Sequence, residues 1–423
     1  MRTIARVDAG EIPSLSRDPA VRGGRCSPAR RAWSLPRVTT GRGLKAGPYR
    51  YIKAQTRTAT GAGIGLTRRS AALCPSVEAV SRLKAAGMMT QNSYDTGRLD
   101  LPFVGHCTFG KRPICTDWQR IDADIAVLGI PYDMGTQYRA GARFGPRAIR
   151  EASTLFSFGH AGAYDHEDDA TYLDRDEVRM VDVGDVDIVH TDTSRSHGNT
   201  ELAVRRILAS GALPVMLGGD HAVNIPCIRA FSEHGPIHIV QIDAHLDFVD
   251  VRHGVREGHG NPMRRAVEQS HVAGLTQLGI RNVSSTARDG YDDARVKGST
   301  ILSVRQMRKL GAEAVLAGIP NRGRYYVTID IDGFDPSIAP GTGTPSHGGF
   351  LYYEVMDFLQ GLARRGDVVG IDLVEVAPAY DPSGITAFLA AQVLLNFLGY
   401  IFHARKARGT RANDCRLPAG RTA

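Results

Sequence analysis

From Asp124 onward, short apolar runs alternate with segments of helical spacing, and this alternation constrains the fold more than any other feature. The runs are DIAVLGI (124–130), VRMVDV (178–183), LPVMLG (213–218), PIHIVQI (236–242), GLTQLGI (274–280), STILS (299–303), RYYVTIDI (324–331) and DVVGIDLV (367–374). They are rich in β-branched residues and do not alternate cleanly with polar ones, as expected of strands covered on both faces. Between them lie helix candidates such as GPRAIREASTLFSF, whose Pro146 suits a first helical turn, and TELAVRRILAS, AVNIPCIRAFSEH, SVRQMRKLG and YYEVMDFLQGLARR. Strand and helix in turn predict an α/β chain: a three-layer αβα domain with a mostly parallel, roughly eight-stranded sheet. With no Pro/Gly/Ser-rich linker and no internal repeat, one domain over 124–405 is the simplest division, preceded by a short packing arm over 90–123.

Charge separates this body from the residues before it. Residues 1–89 carry 17 Lys+Arg against 4 Asp+Glu, a net of +13, while the remaining 334 carry 35 against 40, a net of −5. The body is mildly acidic, so the overall charge of +8 is no argument for nucleic-acid binding. The first 89 residues are Arg-, Gly-, Ser- and Pro-rich with few apolar runs, and are expected to be disordered. They resemble a transit peptide in being acid-poor; equally, Met88 and Met89 offer a later start to the chain. A disordered tail is expected over 406–423. Six cysteines without a CxxC pair fit a reduced compartment. The most apolar stretch, FLAAQVLLNFLGYIFHA, reads as a buried helix and not as a membrane span. A cytoplasmic location follows by default.

In open α/β sheets, ligands bind beyond the carboxyl ends of the strands. Four runs deliver acids or imidazoles there: LPVMLGGDH ends in Asp220 and His221, HIVQIDAHLD in Asp243, His245 and Asp247, YYVTIDIDGFDP in Asp330 and Asp332, and GIDLVEVAP in Glu375. A lone GGDH is more often a turn with a helix cap, and Asp220 is a candidate cap. A lone DxD is often a solvated turn. The crowding of DxHxD is harder to dismiss, since residues two apart on a strand share a face and like charges so placed cost stability without a cation. Together, His221, Asp243, His245, Asp247, Asp330 and Asp332 point to a metal site at the end of hydrophobic strands, where unpaired charge is expensive. Four carboxylates and two imidazoles exceed what one tetrahedral zinc needs, and an oxygen-rich mixed set suits Mn²⁺ or related ions. Two ions sharing carboxylates, about 3.5–4 Å apart, lower the pKa of a shared water.

These blocks, GGDH, DAHLD, DIDGFDPSIAPGTGTP and DLVEVAP, resemble the signatures of the ureohydrolases (arginase, agmatinase, guanidinobutyrase, formiminoglutamase). The likeness runs from about Asp124 to Arg405, includes GIPYDMGTQYRAGARFGPRAIREAS, and is nearest to agmatinase; the spacer VRHGVREGHG after Asp247 departs from arginase. It implies an arginase-like fold, two Mn²⁺ per subunit (Ni²⁺ being an alternative) and a trimeric or hexameric homo-oligomer. It implies that His221, Asp243, Asp247 and Asp330 surround one ion, that Asp243, His245, Asp330 and Asp332 surround the other, and that Asp243 and Asp330 bridge. Glu375 is then expected to receive the guanidinium of a small guanidino substrate, His259 of EGHGNPM to shuttle a proton, and Asp247 to accept one from the attacking water. The implied activity is release of urea, agmatine to putrescine in the first instance, with guanidinobutyrate or guanidine as alternatives. A single-zinc deacetylase and an inactive metal-binding subunit are the more distant readings.

For the substrate's tail, the loops 132–145 and 281–295 offer both signs of charge: Arg139, Arg143, Arg281 and Arg288 against Asp289, Asp292 and Asp293, with Tyr138 and Tyr291 as apolar lids. Acids favour an ammonium tail, an arginine favours a carboxylate, and an aromatic seal favours guanidine itself. An ordinary surface ion pair is the plain alternative for each charge.

Overall fold

The computed structural model describes residues 101–156 and 162–409. The expected leader, the start of the arm and the tail beyond 409 lie outside the described residues. Ten strands are present: β1 Ile125–Gly129, β2 Ala163–Asp165, β3 Ala170–Tyr172, β4 Met180–Asp185, β5 Leu213–Leu217, β6 Ile237–Ile242, β7 Val272–Leu278, β8 Ser299–Leu302, β9 Arg324–Asp330 and β10 Asp367–Val374. Eight of them form one sheet in the order β4-β1-β5-β10-β9-β6-β7-β8. Every pairing in it is parallel. Each of the eight apolar runs is one of these strands. The antiparallel β2–β3 hairpin was not anticipated. Its strands are three residues long and largely exposed, so no apolar run announces them.

The absence of alternation in the runs has a direct cause. On β1, Ile125 and Val127 enter one apolar core with the helices Gly145–Ser153, Tyr352–Arg365 and Ile385–Ala407. Ala126 and Leu128 enter a second core, on the opposite face, with the helices Thr193–Ser210 and Asn224–Arg229. All five residues of β1 and all five of β5 are buried. Full burial of each such aliphatic side chain contributes about 1.5–3 kcal/mol, which is why both faces stay covered. The helix Ile385–Ala407 is long and apolar enough to cross a bilayer by length and composition. It is instead a core helix, with Leu389, Val393, Leu394, Phe397 and Ile401 all buried against the sheet layer. It continues to Ala407, two residues past the expected domain limit.

The arm is tied down where it is described. Phe109 is fully buried, and its N–H donates to Asp182 Oδ2 at 2.8 Å. The Arg150 guanidinium grips the same carboxylate from the helix that follows β1, at 2.8 and 3.0 Å.

One half-buried titratable group gives the fold an acid weakness. His238 on β6 lies opposite Gly274 on β7, where any Cβ would stand 2.7 Å from the ring. Its Nε2 pairs with Thr276 Oγ1 at 2.9 Å, and burial lowers its pKa to about 4. An unfolded histidine takes its proton near pH 6.5. The unfolded chain thus binds the extra proton between those values, and stability falls as pH drops from about 6.5 toward 4. His238→Gln is expected to remove about 2 kcal/mol of the stability difference between pH 7 and pH 5. Urea unfolding of both proteins at the two pH values measures it; an unchanged difference refutes it.

Candidate metal centre and active site

The four strands whose ends carry the chemistry are neighbours. β5, β10, β9 and β6 are the four central strands of the sheet, and beyond their carboxyl ends lie His221, Glu375, Asp330 with Asp332, and Asp243 with His245 and Asp247. Sequence separations of more than 150 residues collapse to adjacent positions along one sheet edge.

The side chains do not converge by strand alternation, as the spacing of DxHxD suggested. β6 stops at Ile242, one residue before Asp243. The chain then enters a turn in which Asp243 Oδ1 accepts the N–H of His245 at 2.5 Å. The same device closes two other strand exits. Asp330 Oδ1 accepts the N–H of Asp332 at 2.9 Å, and Asp220 Oδ1 that of Ala222 at 3.0 Å. Each is a short polar side chain bonding its own backbone two residues on. Asp220 is therefore the cap anticipated, its other oxygen accepting from Gly135 N at 2.7 Å. Asp247 and Glu375 both hold positive φ, 51° and 64°. Left-handed backbone at a non-glycine residue costs about 1–3 kcal/mol and gathers where function demands an orientation.

Close approach at this edge also needs Gly219. A Cβ there would lie 1.7 Å from the Tyr132 carbonyl. That carbonyl accepts from Asp220 N at 2.7 Å, while the Gly219 carbonyl accepts from Glu375 N at 2.8 Å. β1, β5 and β10 are thereby locked together beneath the site.

All six expected ligands come together. His221 Nδ1 stands 3.0 Å from Asp247 Oδ2, 3.2 Å from Asp243 Oδ2 and 3.4 Å from Asp330 Oδ2. It is buried and meets none of them in hydrogen-bond geometry; it points between them. His245 Nδ1 lies 3.0 Å from Asp332 Oδ2 and 3.7 Å from Asp243 Oδ1. Donor atoms close enough for one ion form two sets, His221/Asp243/Asp330 and Asp243/His245/Asp332. Asp243 belongs to both, while Asp330 falls in the first alone.

The charges are strained without a cation. Burial, then the charges of Asp247 and Asp332, raise Asp243 to about 7. Burial and the charges of Asp332 and Asp243 push Asp330 well up. Asp332 moves the other way: burial opposes its charge, but His245 outweighs it and holds it low. In return Asp332, against burial, raises His245 to about 11. For His221, burial opposes protonation and the three carboxylates around it override this. Among the described residues, no Lys or Arg pairs with any of these four acids. A set of oxygen and imidazole donors converging on a dry space, with excess negative charge, fits divalent cations.

Behind the ligands stands a layer of polar residues that sequence reading did not single out. Ser299 Oγ on β8 donates to Gln277 Oε1 on β7 at 2.6 Å, Gln277 Nε2 to Gln241 Oε1 on β6 at 2.6 Å, and Gln241 Nε2 to Asp243 Oδ2 at 2.6 Å. Both glutamines are fully buried. This amide relay runs in one direction, so a donor always faces the shared carboxylate. On the other side, Asp372 accepts from Thr328 Oγ1, from Tyr326 OH and from Asn224 Nδ2. With its proton committed to Asp372, the Thr328 hydroxyl accepts from His221 Nε2 at 3.0 Å. That fixes the neutral tautomer of His221 with its Nδ1 lone pair facing the acids, an arrangement that orients a metal-binding imidazole. Gln241 and Asp372 had a signal available: each is a polar residue inside an otherwise apolar strand.

Glu375 and His259 sit beside this set. Glu375 Oε1 accepts from His221 N and from His259 Nδ1, both at 3.1 Å. His259 Nε2 accepts the backbone N–H of Gln137 at 3.3 Å. Burial opposes a charge on His259 and Glu375, Asp247 and Asp220 favour one; the Gln137 N–H, which needs a lone pair on Nε2, holds the ring neutral with its proton on Nδ1. The cavity of about 250 Å³ in front is floored by His245, Asp247, Asp330, His259 and Glu375.

Comparison with known proteins agrees with this geometry. The Arginase family model matches residues 123–399. The guanidinobutyrase of Pseudomonas aeruginosa is 35% identical over 303 residues, covering 70% of this chain and 92% of that protein. The mitochondrial agmatinase of Gallus gallus is 35% identical over 301 residues, covering 70% and 85%. Among solved structures, the proclavaminate amidino hydrolase of Streptomyces clavuligerus superposes with a TM-score of 0.64 at 33% identity, covering 72% of this chain and 99% of that one. Its fold, its strand-end acids and these relatives make the chain a member of the arginase family, hydrolases of guanidino carbon–nitrogen bonds.

Proposed function

We propose that the chain releases urea from a small guanidino compound, with His221, Asp243, Asp247 and Asp330 around one divalent ion and Asp243, His245, Asp330 and Asp332 around a second. The observation that carries this is the His221 Nδ1 atom, unbonded and aimed between three buried carboxylates. Two bound Mn²⁺ ions, favoured by the oxygen-rich donor set over Ni²⁺, supply a water of lowered pKa and a Lewis acid.

The chain's own groups do the rest. Glu375 holds the planar guanidinium by paired charged hydrogen bonds; both of its side-chain contacts use Oε1, which leaves Oε2 without a partner among the described residues. Its left-handed backbone turns that carboxylate back toward the floor of the cavity. Asp247 accepts a proton at its carboxylate as the attacking water adds. His259 carries a proton at Nδ1, 3.1 Å from Glu375, and hands it to the departing nitrogen. Relatives named for agmatine and for guanidinobutyrate share this reaction and differ in the substrate's tail.

Urea release from agmatine, guanidinobutyrate, arginine and guanidine, after loading with manganese or nickel, tests the reading; no urea from any of them sinks it. Asp243→Asn is expected to abolish metal content and turnover together, since both donor sets use that residue; metal analysis of the variant checks this, and retained activity refutes the shared role. Gln241→Leu should weaken metal affinity about 10–100-fold with the fold intact, measured by titration of metal into the stripped protein. His259→Asn is expected to lower kcat about 10²–10³-fold and leave metal content unchanged; equal loss of both measures would place the residue in metal binding instead.

A further inference from the structure

The cavity in front of the site has a charged wall that the reaction itself does not require. Its floor is acidic, but those acids are committed to the cations and the guanidinium. Away from the floor the lining is uncharged, with Gln137, Tyr138, Ser284, Ser285 and Thr286 among it, save for one full charge, Arg252. Arg252 lies in the spacer after Asp247. Its Nη1 donates to Gln137 Oε1 at 2.8 Å and its Nη2 to the Ser285 carbonyl at 3.3 Å. Both acceptors are neutral. A guanidinium has five N–H donors, so capacity remains, and among the described residues Arg252 makes no ion pair.

The charges expected to read the tail are engaged elsewhere, save Asp289, which among the described residues accepts only the Gly290 N–H at 2.9 Å and lies outside the cavity lining. Asp292 pairs with Arg288 and Arg295, and Asp293 with Arg264 and Lys297. Arg139 stacks 3.8 Å over the Tyr380 ring, and Arg143 pairs with Asp133. The Arg281 guanidinium donates to backbone carbonyls, those of Asp332 and Ser346 at 2.6 Å among them. Asp292, Asp293, Arg288, Arg139, Arg143 and Arg281 all lie outside the cavity lining.

We propose that Arg252 is the specificity-determining residue of this site and that the substrate is a guanidino acid, a short compound with a guanidinium at one end and a carboxylate at the other. This rests on the reading of the floor as a guanidino hydrolase and adds to it the tail. A carboxylate matches the planar fork of Arg252 in two parallel bonds. The Gln137 amide, its oxygen held by Arg252, keeps its Nε2 hydrogens for the same anion. An ammonium tail meets the opposite: a cation in the wall and no uncommitted acid. Guanidine itself leaves Arg252 without a partner.

The experiment uses the full metal-loaded chain and measures urea from guanidinoacetate, guanidinopropionate, guanidinobutyrate, agmatine and guanidine. One of the guanidino acids is expected to exceed agmatine and guanidine in kcat/KM by about tenfold or more. Arg252→Glu should shift the guanidino-acid to agmatine ratio by about a hundredfold or more, mainly through KM, and Arg252→Lys should keep most of the preference. Arg252→Met, judged by the same ratio, serves if the glutamate variant does not fold; metal content and melting temperature certify each protein. Agmatine or guanidine as the preferred substrate, or an equal loss on all substrates in Arg252→Met, overturns the tail assignment and leaves the reaction standing. No urea from any compound overturns the reaction itself.

Discussion

Four buried aspartates crowd one small space at the sheet edge, and negative charge so concentrated is costly unless positive charge is brought among it. Much of this molecule depends on that constraint. Desolvation and mutual repulsion raise Asp243 and Asp330 far above ordinary carboxylates, and the two imidazoles present balance only part of the excess. The fold therefore gathers acidic groups at the centre of its sheet edge, a set that suits divalent ions. Removing any one acid relieves the repulsion but also removes a candidate ligand, so stability and the proposed function pull the same residues in opposite directions. The Ser299–Gln277–Gln241 relay bonds Asp243 on one side, and Thr328, its proton given to the Asp372 carboxylate, bonds His221 on the other.

The backbone meets the same constraint at every strand exit. Asp220, Asp243 and Asp330 each bond the N–H two residues on, which ends the strand sharply and leaves one carboxylate oxygen for other partners. For Asp220 that oxygen serves the loop of Gly135; for Asp243 and Asp330 it faces His221. One turn chemistry thus supplies a structural cap in one place and candidate ligands in two others. The difference lies in which neighbouring strand stands opposite.

The same physics decides how much of this was legible. Burial on both faces writes each central strand as a continuous apolar run, so all eight were visible. The exposed hairpin at 163–172 writes nothing and was not. The identities of the six convergent residues and of Glu375 and His259 could be read because charges at the end of an apolar run are conspicuous and because the blocks resemble a family. Their geometry could not: DxHxD looked like strand alternation, yet β6 ends before it, and a turn with a left-handed Asp247 does the converging. Strand order was equally hidden, since no local pattern says that β10 inserts between β5 and β9. Arg252 carried no signal at all, being one of two arginines in a polar spacer, with an aim that depends on the loops around it.

Gln137 joins two of these features. Its side-chain oxygen holds Arg252, and its backbone N–H reaches His259 Nε2. Whatever anchors at Arg252 therefore tugs on the residue that also steadies the proton carrier. If Arg252 holds the tail and His259 carries the proton, as proposed above, the two tasks meet at this one residue. An evolutionary change of substrate in this chain cannot be made at the wall alone: a loop remodelled to admit a different tail must also restore the hydrogen bond that its main chain gives to the imidazole.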